Sequence, residues 1–309
     1  MKVYKSIEEF NIDGDTAVTI GTFDGVHTGH KVIIEQLKNA AKKINGESVI
    51  LTFFPHPRMV LYPDDNELRL LNTINERIEM LKDAGIDHLI IHPFSKEFSR
   101  LSSTEFVRDI LVNKLNVAKL VIGYDHHFGR HREGSFKHLQ ELAPLYDFSV
   151  EEIPAQEVQQ VNISSTKIRK SLLNGEIHAA NKFLSYHYFI KGTVVDGNKM
   201  GRTIDFPTAN IKIDEWYKLI PAKGVYAVKV KLNNSIYDGM LNIGNRPTLN
   251  ENDNETIEVN IFNFDDDIYN KEIQIEFYEK IRNEEKFEEL SVLKKQLEID
   301  KQQVIQILN

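Results

Sequence analysis

Two histidines three residues apart, His27 and His30, stand among glycines in the run GTFDGVHTGH at residues 21–30. Gly21, Gly25 and Gly29 permit unusual dihedrals and let the backbone approach a ligand closely. An apolar stretch precedes the run and helical periodicity follows it, so it reads as a strand-to-helix turn. A helix start offers unpaired N–H groups and the positive end of a dipole, both of which favour phosphate. At this spacing both imidazoles project from one side of the first turn. There they could donate hydrogen bonds to phosphate oxygens that gain charge during transfer. The bland alternative is a Gly-rich turn with two surface histidines, and the HxGH order after an apolar strand argues against it. Farther along, ISSTKIR (163–169) opens a helix that ends at Gly175. Ser164, Ser165 and Thr166 are N-cap types. With Lys167 and Arg169 beside them, they would also hold a triphosphate. Alone that segment says little; beside an HxGH turn it points to nucleotide chemistry.

A second constellation lies later. GTVVDG (192–197) leads to GRTIDFPTAN (201–210), with neither a Walker A sequence nor a GxGxxG fingerprint. The glycines at 192, 197 and 201 still offer a flexible loop that could wrap phosphate. Phe206-Pro207 fixes an extended approach to Thr208 and Asn210, whose oxygens could serve as hard ligands to Mg²⁺. A Gly-rich hairpin with a β-edge proline explains the same residues structurally. No histidine follows His187 and the chain has no cysteine, so an alcohol-activating base here must be another group. A carboxylate suits that task, as in phosphoryl transfers where Asp accepts a hydroxyl proton. Asp265–Asp267 read as a solvated turn. Glu258 differs, because it sits inside TIEVNI on an otherwise apolar strand. The alternation Ile257/Val259/Ile261 could equally turn Glu258 outward to water.

The elements around these residues fall into two textures. Up to about residue 185, apolar runs at Ala17–Ile20, Ser48–Phe54, Leu89–Ile91, Ala118–Ile122 and Phe148–Ile153 alternate with helical patterns. One helix stops at Gly85, and another opens with a Ser102/Glu105 capping box before Phe106, Ile110, Leu111 and Leu115. This alternation predicts a doubly wound parallel sheet with ligands beyond the carboxyl ends of its strands. After Tyr186, β-rich runs follow without intervening helices: Tyr188–Val195, Ala209–Ile213, Val225–Leu232, Ile236–Ile243, Ile257–Phe264 and Ile273–Tyr278. They predict a small barrel. Two apolar stripes close the chain helically, Phe287/Leu290/Leu293/Leu297 and Val304/Ile305/Leu308, and read as packing faces. The expected domains are 1–185 and 186–309.

Composition narrows the function. The 309 residues carry a formal charge of −8, which disfavours a general nucleic-acid binder. No apolar run approaches a membrane span and residues 1–30 hold no signal-peptide core, so a soluble cytoplasmic protein is expected. Without cysteine, thiol catalysis, disulfides and thiolate-bound zinc are excluded. His126, His127 and His131 could suggest a metal site, but their loop context offers no regular ligand geometry. His88 and His187 read as structural.

GTFDGVHTGH and ISSTKIR together resemble the nucleotidyltransferase superfamily, and more narrowly the adenylyltransferase half of bacterial bifunctional riboflavin kinase/FAD synthetases. FPHPR (54–58) and Gly123-Tyr-Asp125 with Phe128-Gly129 match two further signatures of that half. The later runs GTVVDGNKMGRTIDFPTANI, GVYAV, GNRPT, TIEVNIFNF and YEKIRNEEKF are similar to the riboflavin kinase domain, in its order. The resemblance covers essentially the whole chain. It implies phosphorylation of riboflavin by Mg-ATP to FMN, then adenylylation of FMN to FAD with release of pyrophosphate. On this resemblance His27 and His30 stabilise the ATP phosphates, and Ser164, Ser165, Thr166 and Arg169 close over them. Gly21, Phe23, Asp24, Gly25 and Gly29 line that nucleotide, while His56, Pro57, Arg58 and Asp125 help form the flavin and nucleotide pocket.

For the kinase half, the resemblance places Gly192, Gly197, Gly201 and Arg202 at the nucleotide, and Thr208 and Asn210 at Mg-ATP. Glu258 becomes the base for the riboflavin 5′-hydroxyl, and Arg282 lies near the flavin. Three departures stand out: His127 replaces an expected arginine, Asp205 a glycine, and Asn260 a frequent histidine. Small-molecule substrates are the expected partners, with no nucleic acid and no membrane. Two other readings stay open, a different cytidylyl- or adenylyltransferase and a non-catalytic flavin-binding or regulatory protein that could contact RNA. The PTAN barrel argues against the first, and the presence of His27, His30, Thr208, Asn210 and Glu258 argues against the second.

Overall fold

Short apolar runs that alternate with helical patterns should build buried parallel strands, and the computed structural model of the chain contains them. The structure describes residues 1–64, 68–124, 126–154, 163–197, 206–245 and 255–309. They form two compact units, Met1–Ser165 and Thr166–Asn309.

The first unit is a parallel sheet of β1 (Lys2–Tyr4), β2 (Thr16–Ile20), β3 (Glu47–Phe53), β4 (His88–His92), β5 (Val117–Gly123) and β6 (Ser149–Ile153). Their order is β1-β4-β3-β2-β5-β6, and every pair is parallel. Alternate residues feed opposite faces, as the strand period demands. Val18, Ile20, Val49, Leu51, Leu120 and Ile122 pack on one side with Phe106 and Leu111. Ala17, Ile50, Leu89 and Val121 pack on the other, against Ile34, Leu37, Ala40 and Ala41 of helix α1 (Thr28–Lys43). Strand order reverses at β2, with β3 on one side and β5 on the other. In such sheets the crevice beyond the central strand is where ligands bind. The HxGH turn leaves β2 at that point.

Two details differ from the sequence expectation. The three-residue strand β1 adds an edge beside β4 that no alternation announced. The segment after the Ser102/Glu105 capping box winds as a π-helix over Phe106–Val112. Its amides bond five residues back, Asn113 to Arg108 and Leu115 to Ile110. The wider turn explains why Phe106 and Leu111, five apart, are both buried.

In the second unit, α6 (Ser165–Leu173) and α7 (Ile177–Leu184) precede the barrel. Leu172 accepts from the Ala222 amide at 3.0 Å, and Asn181 Nδ2 donates to the Phe277 carbonyl at 2.8 Å. Both helices therefore group with the barrel strands. Those strands are β7 (Phe189–Val195), β8 (Ala209–Lys212), β9 (Gly224–Leu232), β10 (Ser235–Asn245), β11 (Glu255–Ile261) and β12 (Glu272–Arg282). They close antiparallel in the order β10-β11-β8-β7-β12-β9. The two C-terminal stripes share one helix, α8 (Leu290–Leu308). Phe287 falls in the loop before it, not on the helix. Val304 of α8 is fully buried among Phe206, Val225, Ala227, Met240 and Phe262, so the helix covers one face of the barrel.

Candidate active sites

The turn between β2 and α1 is built under strain. Phe23 and Val26 take φ of 47° and 34°, and Gly25 takes 89°. A positive φ costs a non-glycine residue about 1–3 kcal/mol and persists only where its surroundings enforce it. His27 caps α1: its Nδ1 accepts from the His30 amide at 3.4 Å. An accepting Nδ1 carries no proton, so neutral His27 presents Nε2–H as its donor. The two rings stack at 3.7 Å between centroids, 15° from parallel, and the Phe23 ring lies 5.0 Å from His30. A Cβ on Gly21 would stand 3.1 Å from the Phe23 ring, so glycine there leaves the ring its place.

Burial pushes the His30 pKa well below its ordinary value, with His27 and Arg77 adding to the shift. The imidazole is therefore neutral near pH 7 and can offer a ligand a hydrogen bond but not a positive charge. His92 is also lowered, chiefly by burial and against the opposing pull of Glu8. Folding thus depresses both values, and the unfolded chain binds more protons. The stability they contribute is full above the unfolded value of about 6.5 and declines as pH falls below it. Denaturation midpoints of the full chain should drop between pH 7.5 and pH 5.5, and His92→Gln should flatten that slope. An unaltered slope in the variant would exclude His92 as a source.

The other residues of the turn divide by role. Asp24, grouped with the ligand contacts by its motif, is fully buried. Its carboxylate accepts from the Leu71 and Asn72 amides and lies 3.7 Å from Arg77, so it supplies position to the turn. Its backbone carbonyl accepts from Ser165 Oγ at 2.9 Å, which joins the second signature to the first. Ser164 is exposed beside it. Thr166 and Arg169 occupy the first turns of α6 in the second unit. His56 caps a short helix, Pro57–Leu61, by accepting from the Arg58 amide at 3.1 Å. That helix follows the carboxyl end of β3, the same sheet edge as the HxGH turn. His127 is exposed after β5, in a loop where Phe128 and Gly134 exchange backbone hydrogen bonds. Asp125 lies outside the described residues, as do Gly201, Arg202 and Asp205.

In the second unit the PTAN residues meet Glu258. Thr208 Oγ1 donates to Glu258 Oε2 at 3.2 Å, and Asn210 stands opposite Glu258 in the β8–β11 ladder. Any Cβ at Gly197 would overlap the Asn210 amide, so the loop needs glycine there. Asn260 Nδ2 donates to the Pro207 carbonyl at 2.6 Å and pins the approach to Thr208. Gly192 is buried in β7, where a Cβ would meet Ile211 and Ile213. Its place is a close strand contact.

Glu258 and Asn260 share the face of β11 opposite Ile257 and Val259. They line a cavity of about 260 Å³ under α8, together with Phe206, Met240, Leu293 and Leu297. Arg282 borders it too. Asp300 of α8, 1% exposed, receives both Arg282 Nε and the near terminal nitrogen at 2.7–3.1 Å. Gln296 Nε2 also donates to Asp300 Oδ1, at 2.8 Å. Neither Asp300 nor Gln296 carries a motif, so sequence reasoning missed them. A second cavity, of about 370 Å³, lies on the same strand pair and is lined by Asn210, Lys212, Trp216, Lys218 and Thr256.

A doubly wound sheet with an HxGH turn at its switch point, joined to a barrel carrying PTAN and a facing carboxylate, defines a two-module transferase acting on phosphates. The FAD synthetase family matches residues 9–167 and the riboflavin kinase family residues 184–308. Bifunctional riboflavin kinase/FMN adenylyltransferases of Bacillus subtilis and Listeria monocytogenes are 37% and 39% identical, over 94% of this chain and 92% and 91% of theirs. A solved Streptococcus pneumoniae structure, described as a macrolide-efflux protein, has a TM-score of 0.88 at 32% identity over 97% of both chains. Among the described residues no helix is long and apolar enough to cross a membrane. The chain belongs to the bifunctional riboflavin kinase/FMN adenylyltransferase family. It phosphorylates riboflavin with ATP to FMN, and adenylylates FMN with ATP to FAD, releasing pyrophosphate.

Proposed function

We propose that the two reactions divide between the two constellations, FMN adenylylation at the HxGH turn within 1–185 and riboflavin phosphorylation within 186–309. The observation that carries this reading is the contact of Thr208 with Glu258 beside a largely apolar cavity. A flavin ring fits such a cavity, and its 5′-hydroxyl would meet the carboxylate at the rim. Glu258 takes the hydroxyl proton as that oxygen attacks the γ-phosphorus, and ADP leaves. The Thr208 hydroxyl orients the accepting carboxylate. The nucleotide enters from the second cavity, across Asn210.

The donor set near Asn210 suits a hard cation, since Thr208 and Asn210 offer neutral oxygens and phosphates supply charge. These residues would hold Mg²⁺, which when bound would supply charge neutralisation to the phosphates. At the other site an FMN phosphate oxygen attacks the α-phosphorus of ATP and pyrophosphate leaves. That nucleophile is already ionised, so no base is required. Neutral His27 and His30 donate to the triphosphate oxygens, with Ser164 and Ser165 completing the hold. A cytoplasmic location fits the demand for ATP in both steps.

Chromatography of products tests this reading in two reactions, one started from riboflavin and one from FMN, each with ATP and Mg²⁺. FMN then FAD should appear in the first and FAD in the second, and chelation of Mg²⁺ should stop both. Full turnover in chelator would remove the metal from the proposal.

A further inference from the structure

The strained turn that carries His27 and His30 is anchored by a buried pair that neither reaction consumes. Phe23 and Val26 hold positive φ on either side of Asp24 and Gly25, a conformation that must be enforced from outside the turn. Asp24 is fully buried, and its carboxylate accepts from the Leu71 amide at 3.0 and 3.2 Å and from the Asn72 amide at 3.3 Å. Arg77, 1% exposed on α3 (Ile74–Asp83), places its guanidinium 3.7 Å away. The carbonyl of the same aspartate receives the Ser165 hydroxyl. One residue therefore ties the turn to the segment before α3, to α3 itself and to Ser165.

A buried ion pair adds little net stability, because desolvation offsets its attraction, and fixing one geometry is its better-attested use. We propose that Asp24 and Arg77 are positioning residues for adenylyl transfer, a clamp that holds the His27–His30 stack and Ser165 in one arrangement. The proposal rests on the assignment of FMN adenylylation to this turn. Phe23 transmits the constraint: its backbone adjoins Asp24, and its ring contacts His30. A misplacement of about 1 Å at a reacting site can cost about 100-fold in rate, so a loosened turn should show in kcat.

The test uses the full-length protein, because riboflavin phosphorylation in the second unit reports on folding of the same preparation. Arg77→Met should lower kcat for FAD formation at least about 10-fold, with little change in the KM for ATP, given the sensitivity of positioned sites. FMN formation from riboflavin should stay unchanged, and Arg77→Lys should recover part of the loss. Ser165→Ala should also lower FAD formation. The double variant Arg77→Met/Ser165→Ala should fall no further than Arg77→Met, since coupled residues give non-additive effects. Wild-type FAD formation in Arg77→Met, or losses that multiply in the double variant, would overturn the clamp. If Arg77→Met does not fold, the same cycle with Arg77→Lys and Ser165→Ala gives the answer. His30→Ala runs in parallel: if it too forms FAD normally, the site assignment has failed, and if it alone is impaired, the clamp has.

Discussion

Glu258→Gln should lower riboflavin phosphorylation by about 10²–10⁴-fold, the usual loss when a positioned general base is removed. The substitution is nearly isosteric, and the amide keeps an oxygen able to accept from Thr208, which now donates to Glu258 Oε2 at 3.2 Å. The ladder pairing with Asn210 runs through the backbone and is untouched. ATP affinity should therefore persist while the proton of the 5′-hydroxyl loses its acceptor. The effect should fall on kcat, because a base acts as the oxygen attacks and not on the bound ground state. FAD formation from added FMN should remain at its normal rate, since its proposed site is the HxGH turn. Product chromatography with ADP release measures the first reaction, and calorimetry measures nucleotide binding. Unchanged turnover from riboflavin would deny Glu258 its role as base.

The position of Glu258 also shows what sequence periodicity can and cannot say. Alternation along TIEVNI separates Ile257, Val259 and Ile261 from Glu258 and Asn260, and the structure keeps that separation. Periodicity does not tell whether the polar set meets water or a cavity. That depends on α8, whose residues lie more than thirty positions later and cover the same face. The parallel sheet was easier to read, because strands buried on both faces appear as continuous apolar runs. β1 escaped notice because Lys2–Tyr4 is too short to show a pattern and is defined only by pairing with β4. Asp300 and Arg77 escaped for a related reason. Each is a charged residue on a helix, ordinary in sequence, and becomes informative only through a partner distant along the chain. Asp24 was visible as part of a motif, but its inward carboxylate was not. Family resemblance marks which letters recur and leaves open which of them touch a ligand.

His30→Ala should lower FMN adenylylation by about 10²–10³-fold, the range seen when one preorganised donor to a developing charge is lost. Two features of this histidine make the expectation specific. Its pKa is depressed by burial, so the wild-type group is neutral and what it can offer a phosphate is a directed hydrogen bond, not a charge. Its Nδ1 is buried without a hydrogen-bond partner among the described residues. A buried nitrogen left unpaired is costly to the fold, so alanine removes a penalty as well as a ring contact. The folded state should therefore tolerate the change far better than the reaction does. Riboflavin phosphorylation should proceed normally in the same sample, and FMN should accumulate where the wild type continues to FAD. His30→Gln, which restores an N–H donor, should recover part of the rate. Equal losses in both reactions would contradict the separation into two sites, because a single shared site would then serve both transfers.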